Sequence, residues 1–414
     1  MMRVSLRCMF IYGIVIFLVI VHTLYRFIAF RNQSRYYAED YNKEDSVYTA
    51  SELQVLINEL PTIRESRPKT PPLSNDSSTI ALFVYRSKKE GVYEMAQSTV
   101  ACYANMHGYK YVLEYDEDMD AAACSFEIIY FRKHCAVARF LASHTDINWV
   151  FVLDGDTAVI NPRIRLQHYL QQDNGTETGE TSETSGFVDI IFYERFHNWE
   201  IVAGNYIVRR SPFSINFLYA WASYEKVLPK GFSNFDNGAL QIHILKTLLS
   251  TEAPHAVELC EKLWHHTNEQ DDTDMTHYFE FITCVQGALG AKKHWGKIAI
   301  RSRAHGWAID RTATFDKWCS QMFMMHGVKD TVPAVEYGTW LLQRPPDPTK
   351  CAYRNPRDMS EWHYSAKHQK TCDNIRSVLA MRERDAPYKL YSREARVATH
   401  LRYPEVGLCW PNCP

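Results

Sequence analysis

Two carboxylates one residue apart follow a short apolar stretch in "NWVFVLDGDTAV", residues 148–159. The apolar run Trp149 to Leu153 predicts a buried strand. At its end the chain turns, and because Gly155 permits the bend, Asp154 and Asp156 can both reach one hard divalent cation. Such an ion could take diphosphate oxygens into its shell and stabilise a departing diphosphate as a Lewis acid. A solvated Asp-Gly-Asp turn is the plain alternative.

A second chemistry uses a similar pattern. Haloacid-dehalogenase-like phosphatases carry an aspartyl nucleophile loop that reads D-x-D-x-(T/V) after an apolar strand, and this sequence resembles it up to Thr157. Ala158, however, stands where Thr or Val belongs. That loop also ends the first strand of its domain, whereas here it follows the third predicted strand. The sequence therefore favours the metal site and leaves the phosphotransferase site as the alternative.

The elements that must position the acids alternate between strands and helices. "TIALFVY" (79–85), "YKYVLEY" (109–115) and "WVFVL" (149–153) predict strands, and residues 92–106 and 126–143 predict helices between them. This order predicts a right-handed βαβαβ unit with a parallel sheet. The acid pair falls at the carboxyl end of the third strand, where open α/β sheets bind ligands.

The second half of the chain is predicted less regularly. "FVDIIFYE", "IVAGNYIVRR" and "FMM" (323–325) predict strands, while residues 211–226 and 238–249 predict helices. The low-complexity segment at 171–186 predicts a surface loop.

The N-terminus predicts a membrane anchor. Residues 9–25 carry no formal charge, and arginines flank them on both sides. A cleaved signal peptide is the alternative, but no small-x-small cleavage site follows. We therefore expect a cytoplasmic tail (1–8), a transmembrane signal anchor (9–30), a luminal stem (31–78), a catalytic domain (79–344) and a Cys-rich extension (345–414).

Cysteines and glycosylation sequons predict the compartment. Of the 11 cysteines, all but Cys8 follow the predicted anchor, as do sequons at Asn32, Asn75 and Asn174. These features favour a type II single-pass protein with a luminal body, in the Golgi membrane or, alternatively, the endoplasmic reticulum. The formal net charge of −2 shows no basic excess, so no nucleic-acid partner is expected. The oligomeric state is left open.

The segment "VFVLDGDTAVINP" resembles the D-x-D segment of nucleotide-diphospho-sugar transferases with the GT-A fold. The resemblance covers about residues 79–343, extends to glycogenin-like and yeast Golgi α-galactosyl and α-mannosyl transferases, and is closer to a nematode-expanded family of unknown function. It implies an α/β, Rossmann-like catalytic domain. It further implies metal-dependent transfer of a sugar, with retention, from a nucleotide-sugar to a glycan or glycoprotein acceptor. The cofactors would be Mn²⁺ or another divalent cation and a UDP-sugar in preference to a GDP-sugar.

The resemblance also implies roles for single residues. Asp154 and Asp156 would bind the metal, with Asp154 and Gly155 also at the nucleotide-sugar. "FMMHGVKD" resembles the late strand-His-Gly segment of those families, so His326 would be the third metal ligand and Lys329 would meet the diphosphate as a point charge. An ordinary half-buried histidine is the alternative at position 326, and the His-Gly pair at His305 is a rival.

Two further segments match less tightly. "IVAGNYIVRRS" implies that Gly204 lets backbone approach the donor sugar, and leaves the role of Asn205 open. "NFDNGALQIHIL" resembles a D-Q-G-type helix start, so Asp236 would act catalytically and Asn237 would bind the nucleotide-sugar. A helix N-cap is the alternative for Asp236.

The residues leave two points of function open. Lys133 and Arg139 lie on the helix before the acid pair, and a solvated helix face is favoured over a nucleotide contact for both. No nucleophilic carboxylate is evident. A non-catalytic luminal glycan-binding or scaffold protein that keeps the GT-A fold is the alternative function.

Overall fold

The structure is a computed structural model that describes residues 77–89, 93–119, 124–171, 188–196, 198–229, 235–267, 276–290, 292–329 and 341–389. The predicted tail, anchor and most of the stem lie outside these residues, as do the asparagines of the three sequons, Cys409, Cys413 and nearly all of the predicted loop at 171–186. Within the described part, no helix is both long and apolar enough to cross a membrane.

The first half of the described chain is the predicted βαβαβ unit. Its elements are β1 (Ile80–Arg86), α1 (Glu94–His107), β2 (Lys110–Tyr115), α2 (Ile129–Ser143) and β3 (Trp149–Leu153). Strands β1 and β2 are parallel, and so are β1 and β3, with β1 between the other two. Helix α1 ends at Gly108, whose left-handed conformation (φ 71°) lets its N–H close the last turn. The prediction for this half is confirmed to within a few residues.

The second half extends the sheet but does not keep it parallel. The added strands are β5 (Ile190–Tyr193), β6 (Tyr206–Arg209), β7 (His294–Trp295) and β8 (Ile298–Arg301). The seven-stranded order is β2-β1-β3-β6-β5-β8-β7, and β6 is antiparallel to both β3 and β5. The longer helices are α4 (Pro212–Ala222), α5 (Phe235–Leu249), α6 (Pro254–His266) and α7 (Thr276–Leu289). The fold is therefore α/β, with helices packed on a sheet of parallel and antiparallel strands, and it is compatible with the fold class that the sequence predicts.

A second, three-stranded sheet lies beside the acid pair. The strands of this sheet are β4 (Thr157–Val159), β9 (Ala308–Asp310) and β10 (Met324–His326). Strand β10 pairs antiparallel with β4 and parallel with β9. The remaining helices are α3 (Gln167–Gln171) and α8 (Cys372–Lys389). Residues far apart in sequence are thus aligned next to the end of β3.

Apolar side chains cover both faces of the large sheet. In β1, Leu82 and Val84 belong to the core shared with α1, whereas Ala81 and Phe83 belong to the core shared with α2 and α4 to α7. This alternation is the two-residue period of a strand. Because both faces are buried, β1 and β3 read as continuous apolar runs, which is why their positions could be predicted.

Four disulfides lie within the described residues. Cys124–Cys135 and Cys260–Cys284 close short loops, while Cys102–Cys351 and Cys319–Cys372 join residues 341–389 to the rest of the domain. Cysteines Cys351 and Cys372 of the predicted Cys-rich extension are therefore bonded to the body.

Buried neutral histidines predict a loss of stability in mild acid. Burial lowers the pKa of His107 to about 4, although its Nε2 lies 2.6 Å from the Pro162 carbonyl oxygen. The unfolded chain binds a proton near pH 6.5 and the folded chain does not, so the free energy of unfolding falls as the pH drops from about 6.5 to about 4. We expect His107→Gln to abolish on the order of 3 kcal/mol of this fall. Urea unfolding across that pH range measures it, with exposed His305→Gln as the control; equal pH slopes in parent and His107→Gln would contradict it.

Candidate metal centre

The acid pair lies in a tight turn between β3 and β4. Asp154 follows the last residue of β3, and the Thr157 N–H donates to the Asp154 carbonyl oxygen at 3.0 Å. Gln97 on α1 supports the turn by donating from Nε2 to the Gly155 carbonyl oxygen at 2.6 Å. The apolar strand ends here, and the backbone groups it no longer pairs are taken up by the turn.

Strand pairing brings His326 to the same turn. In the small sheet His326 is the partner of Thr157, and the N–H groups of Gly327 and Val328 donate to the Asp156 carbonyl oxygen at 3.1 and 2.8 Å. These bonds fix the segment after β10 against the acid pair. Pairing in the small sheet thus brings together Asp156 and His326, which are 170 positions apart in the sequence.

Asp154, Asp156 and His326, which we call the triad, offer ligand atoms that all lie within 4.8 Å of one another. His326 Nε2 lies 3.3 Å from Asp154 Oδ2 and 3.2 Å from Asp156 Oδ1. Neighbouring ligands around an octahedral cation with bonds of about 2.1 Å lie roughly 3 Å apart. Two carboxylate oxygens and one imidazole nitrogen at this spacing fit a divalent cation.

A third acid holds the His326 ring from the side opposite the triad. Asp310, on β9, is the strand partner of His326, and its Oδ1 lies 2.6 Å from His326 Nδ1. A carboxylate at Nδ1 fixes the ring orientation and leaves Nε2 directed at the triad, an arrangement common behind metal-bound histidines. Asp310 was missed by sequence reasoning, because nothing in "RAHGWAID" marks its acid as a partner of a residue 16 positions later.

The electrostatics of the triad favour a positively charged His326 beside negatively charged aspartates. Burial opposes a charge on the His326 imidazole, but the carboxylates of Asp156, Asp154 and Asp310 outweigh it and hold the pKa well above its usual value. Burial likewise opposes charge on Asp156, and His326 holds its pKa below the usual value. The proton on His326 thus balances the acids where a cation would, and cation binding would release it.

Lys329 also lies at the triad. Its Nζ is 3.4 Å from Asp156 Oδ2, and the side chain is partly exposed. The structure therefore brings Lys329 together with the triad, on the solvent side.

Lys133 is not on a solvated helix face, and that interpretation is wrong. Only 4% of Lys133 is exposed, and its Nζ lies 3.1 Å from Asp154 Oδ1 and 3.5 Å from Asp236 Oδ2. Burial opposes its charge, but Asp154 and Asp236 hold its pKa above the usual value. Arg139 does lie on the exposed face, where its guanidinium contacts the Met119 sulfur. Helix periodicity could not separate the two without knowing which face α2 buries.

Asp236 is anchored by a second buried residue of α2. His134 Nε2 lies 3.1 Å from Asp236 Oδ2, and His134 Nδ1 lies 3.0 Å from the Tyr206 hydroxyl. Burial lowers the pKa of His134 to about 4, so the ring is neutral. Since a carboxylate only accepts, Nε2 carries the proton and Nδ1 accepts from Tyr206. Asp236 lies inside the first turn of α5 rather than before it, so the N-cap alternative is not what the structure shows.

Gly204 makes room for a carboxylate. A Cβ at this position would lie 2.0 Å from Asp154 Oδ2. No side chain fits there unless Asp154 leaves the triad. The structure thus gives a reason for glycine that concerns Asp154 rather than backbone approach to a sugar.

Gly204→Ala is therefore expected to displace Asp154 and weaken Mn²⁺ binding by roughly 10- to 100-fold, the usual cost of disturbing a ligand's support. Isothermal calorimetry with Mn²⁺ measures the change. The matched control is Gly290→Ala, where a Cβ meets nothing within 4 Å. It should lose about 1 kcal/mol of stability from its left-handed backbone and no metal affinity. Equal Mn²⁺ affinity in both variants would refute the steric role of Gly204.

Two asparagines fix backbone around the turn. Asn205, fully buried, accepts at Oδ1 from the Asp154 N–H at 3.2 Å and from the Thr157 hydroxyl at 2.9 Å. Asn237 accepts at Oδ1 from the Ala203 N–H at 3.1 Å and so joins the start of α5 to the segment before β6. Both side-chain oxygens therefore accept hydrogen bonds from groups of the protein itself.

The rival His-Gly pair lies away from the triad. His305 is exposed and borders a cavity of about 280 Å³ beside the Cys319–Cys372 disulfide. A larger cavity of about 770 Å³ lies between β2 and the outer face of α2. Neither cavity is lined by Asp154, Asp156 or His326, so shape alone would not have located this site.

The fold and site together define a mixed α/β protein with a candidate divalent-metal triad at a strand end. The family described as "Protein of unknown function, DUF273" matches residues 100–336, and the chain belongs to this family. No curated protein matches it. A solved structure described as a glycosyltransferase involved in the glycosylation of the major capsid of PBCV-1 is similar at 12% identity, over 60% of this chain and 92% of that one, with a TM-score of 0.35.

Proposed function

We propose that this protein transfers a sugar from a nucleotide diphosphate donor to a hydroxyl of a glycan or glycoprotein, with a divalent cation held by the triad. The observation that carries the proposal is the pair of short distances, 3.2 and 3.3 Å, from His326 Nε2 to two carboxylates that an apolar strand delivers to one point. In the absence of a cation the protonated His326 balances these carboxylates, and a divalent cation bound at the same place would take over that role.

The chain's own residues divide the work. Asp154, Asp156 and His326 would hold the cation, and Asp310 would keep the imidazole oriented. When bound, the cation would offset the charge of the departing diphosphate. Lys329, partly exposed beside Asp156, can add a positive charge toward the same group. Lys133 stays charged between Asp154 and Asp236 and keeps both carboxylates in place.

Asp236 is the acid that faces the reaction in this proposal. Its carboxylate contacts Lys133 Nζ and His134 Nε2, which fix its position beside the triad. The family resemblance supports a contact with the transferred sugar for Asp236 and Asn237, a UDP-sugar in preference to a GDP-sugar, and retention of configuration.

The proposed setting is the Golgi lumen, with residues 9–30 as a type II anchor. The four disulfides support an oxidising compartment for the catalytic part. The uncharged run near the N-terminus supports the anchor.

Calorimetric titration of the full chain in detergent with UDP and with GDP, each with and without Mn²⁺, tests the function. We expect one nucleotide to bind only with Mn²⁺, and the free energy of unfolding to rise by about 2.7 kcal/mol at a hundredfold excess over Kd. The alternative, a non-catalytic glycan-binding or scaffold protein, predicts neither binding nor stabilisation. Folded protein that binds neither nucleotide would overturn the proposal.

A further inference from the structure

Two aromatic side chains are exposed side by side at the starts of α2 and α5. Tyr130 is 47% exposed and Phe235 is 48% exposed, and their ring centroids lie 5.7 Å apart with the planes tilted by 36°. We call them the aromatic pair. Large aromatic rings are usually covered, so two adjacent ones left half open indicate a surface that binds something.

The aromatic pair adjoins the buried charges of the candidate site. On α2, Tyr130 precedes Lys133 and His134 by three and four positions, the spacing of neighbours on one helix face. On α5, Phe235 is followed directly by Asp236, which Lys133 and His134 both contact. Lys133 also reaches Asp154 of the triad. Along their helices, Tyr130 and Phe235 are therefore close neighbours of residues that are linked through Lys133 to Asp154 of the triad.

The backbone at Phe235 is strained. Its φ is 46°, in the left-handed region that a bulky residue rarely adopts. Such conformations persist where the surrounding structure enforces them, and they cluster at binding sites. Here the buried contacts of Asp236 hold the first turn of α5 and so keep the Phe235 ring outside, against Tyr130.

The chemistry of two half-open rings selects the ligand. A pyranose has one face of C–H bonds with partial positive charge, which packs on the negative face of an aromatic ring, while its hydroxyls stay in water or bond to a group such as the Tyr130 hydroxyl. A stable protein partner needs about 800 Å² on each side, far more than two rings supply. The size of the patch thus favours a small amphipathic ring over a protein surface.

We propose that the aromatic pair is the acceptor subsite, on which Tyr130 and Phe235 hold a pyranose ring of the acceptor glycan. The word acceptor rests on the proposed function. The binding of a sugar ring at this place does not, because it follows from the exposed rings alone.

Saturation-transfer NMR on the full chain in detergent tests the subsite. The probes are the methyl pyranosides of glucose, galactose, mannose and N-acetylglucosamine, with UDP and diamagnetic Mg²⁺ present. We expect transfer to the C–H protons of one face of at least one sugar. Tyr130→Ala, which keeps a good helix former on an exposed face, should weaken the binding of that sugar roughly tenfold or more. Tyr130→Phe, which keeps the ring, should retain the face contact.

The matched control is Tyr353→Ala. Tyr353 is 64% exposed. The next residue, Arg354, donates its N–H to the Asn105 carbonyl oxygen near the start of β2. This place lies at the end of the parallel strands opposite to Asp154. This variant should bind as the parent does. The subsite is overturned if the parent binds none of the four sugars, or if Tyr130→Ala and Phe235→Ala, both folded by thermal melting, bind as tightly as the parent. Separate calorimetry with UDP distinguishes the two proposals: sugar binding that depends on Tyr130 without nucleotide binding would leave a glycan-binding site and reject the transferase.

Discussion

Asp156→Asn is expected to weaken Mn²⁺ binding by more than roughly 100-fold and to remove Mn²⁺-dependent nucleotide binding. Loss of a residue that merely supports a ligand costs about 10- to 100-fold, so loss of a ligand should exceed it. The amide keeps the shape of the side chain but removes the charge that faces His326 Nε2 at 3.2 Å. Isothermal calorimetry with Mn²⁺, and then with UDP in the presence of Mn²⁺, measures both effects.

The control for this change is another aspartate in a salt bridge. Asp146 is exposed and lies 3.9 Å from Lys110 Nζ, so Asp146→Asn should alter neither metal nor nucleotide binding. Thermal melting shows that both variants are folded. Parent-like Mn²⁺ affinity in folded Asp156→Asn would remove the triad from consideration as a metal centre.

Lys133→Met is expected to give the largest loss of stability, about 3 to 5 kcal/mol, because it leaves the buried Asp236 and the half-buried Asp154 without their shared positive charge. The methionine fills a similar volume, so the loss reports charge rather than a cavity. Urea unfolding at pH 7 measures the free energy of unfolding.

Two further variants make this expectation specific. Lys262→Met removes an exposed ion pair with Glu258 and should leave the free energy of unfolding nearly unchanged. Lys133→Met combined with Asp236→Asn should recover part of the loss, since one uncompensated carboxylate is gone. A loss below about 1 kcal/mol in Lys133→Met alone would mean that the lysine does not hold the two acids.

Much of the fold could be predicted from local patterns. The continuous apolar runs of β1 and β3 are buried on both faces, and such runs are visible in sequence. The antiparallel β6 and the small sheet could not be predicted, because strand direction and pairing depend on contacts between distant segments. The short strands β4 and β9 carry three residues each, too few for a periodic signal.

The site divides in the same way. The acid pair could be predicted from its position at the end of an apolar strand, and His326 could be predicted from resemblance to a family motif. Lys133 and His134 were not found as site residues, because a lysine and a histidine inside a helix are ordinary and only the packing of α2 shows which side is buried. Asp310 and Tyr206 contribute through strand pairing and side-chain contact, for which one sequence offers no sign.

The disulfides have a consequence for the order of folding in the cell. Cys124 and Cys135 are 11 residues apart and can join as soon as that segment reaches the oxidising compartment proposed for this domain. Cys102 must wait for Cys351, 249 residues later, which at about 5 to 20 residues per second takes roughly 12 to 50 s. During that interval α1 and its free thiol are exposed to wrong partners, including Cys124 and Cys135. The first half of the domain therefore depends on the late synthesis of Cys351, and on disulfide exchange, to reach its native disulfide pairing.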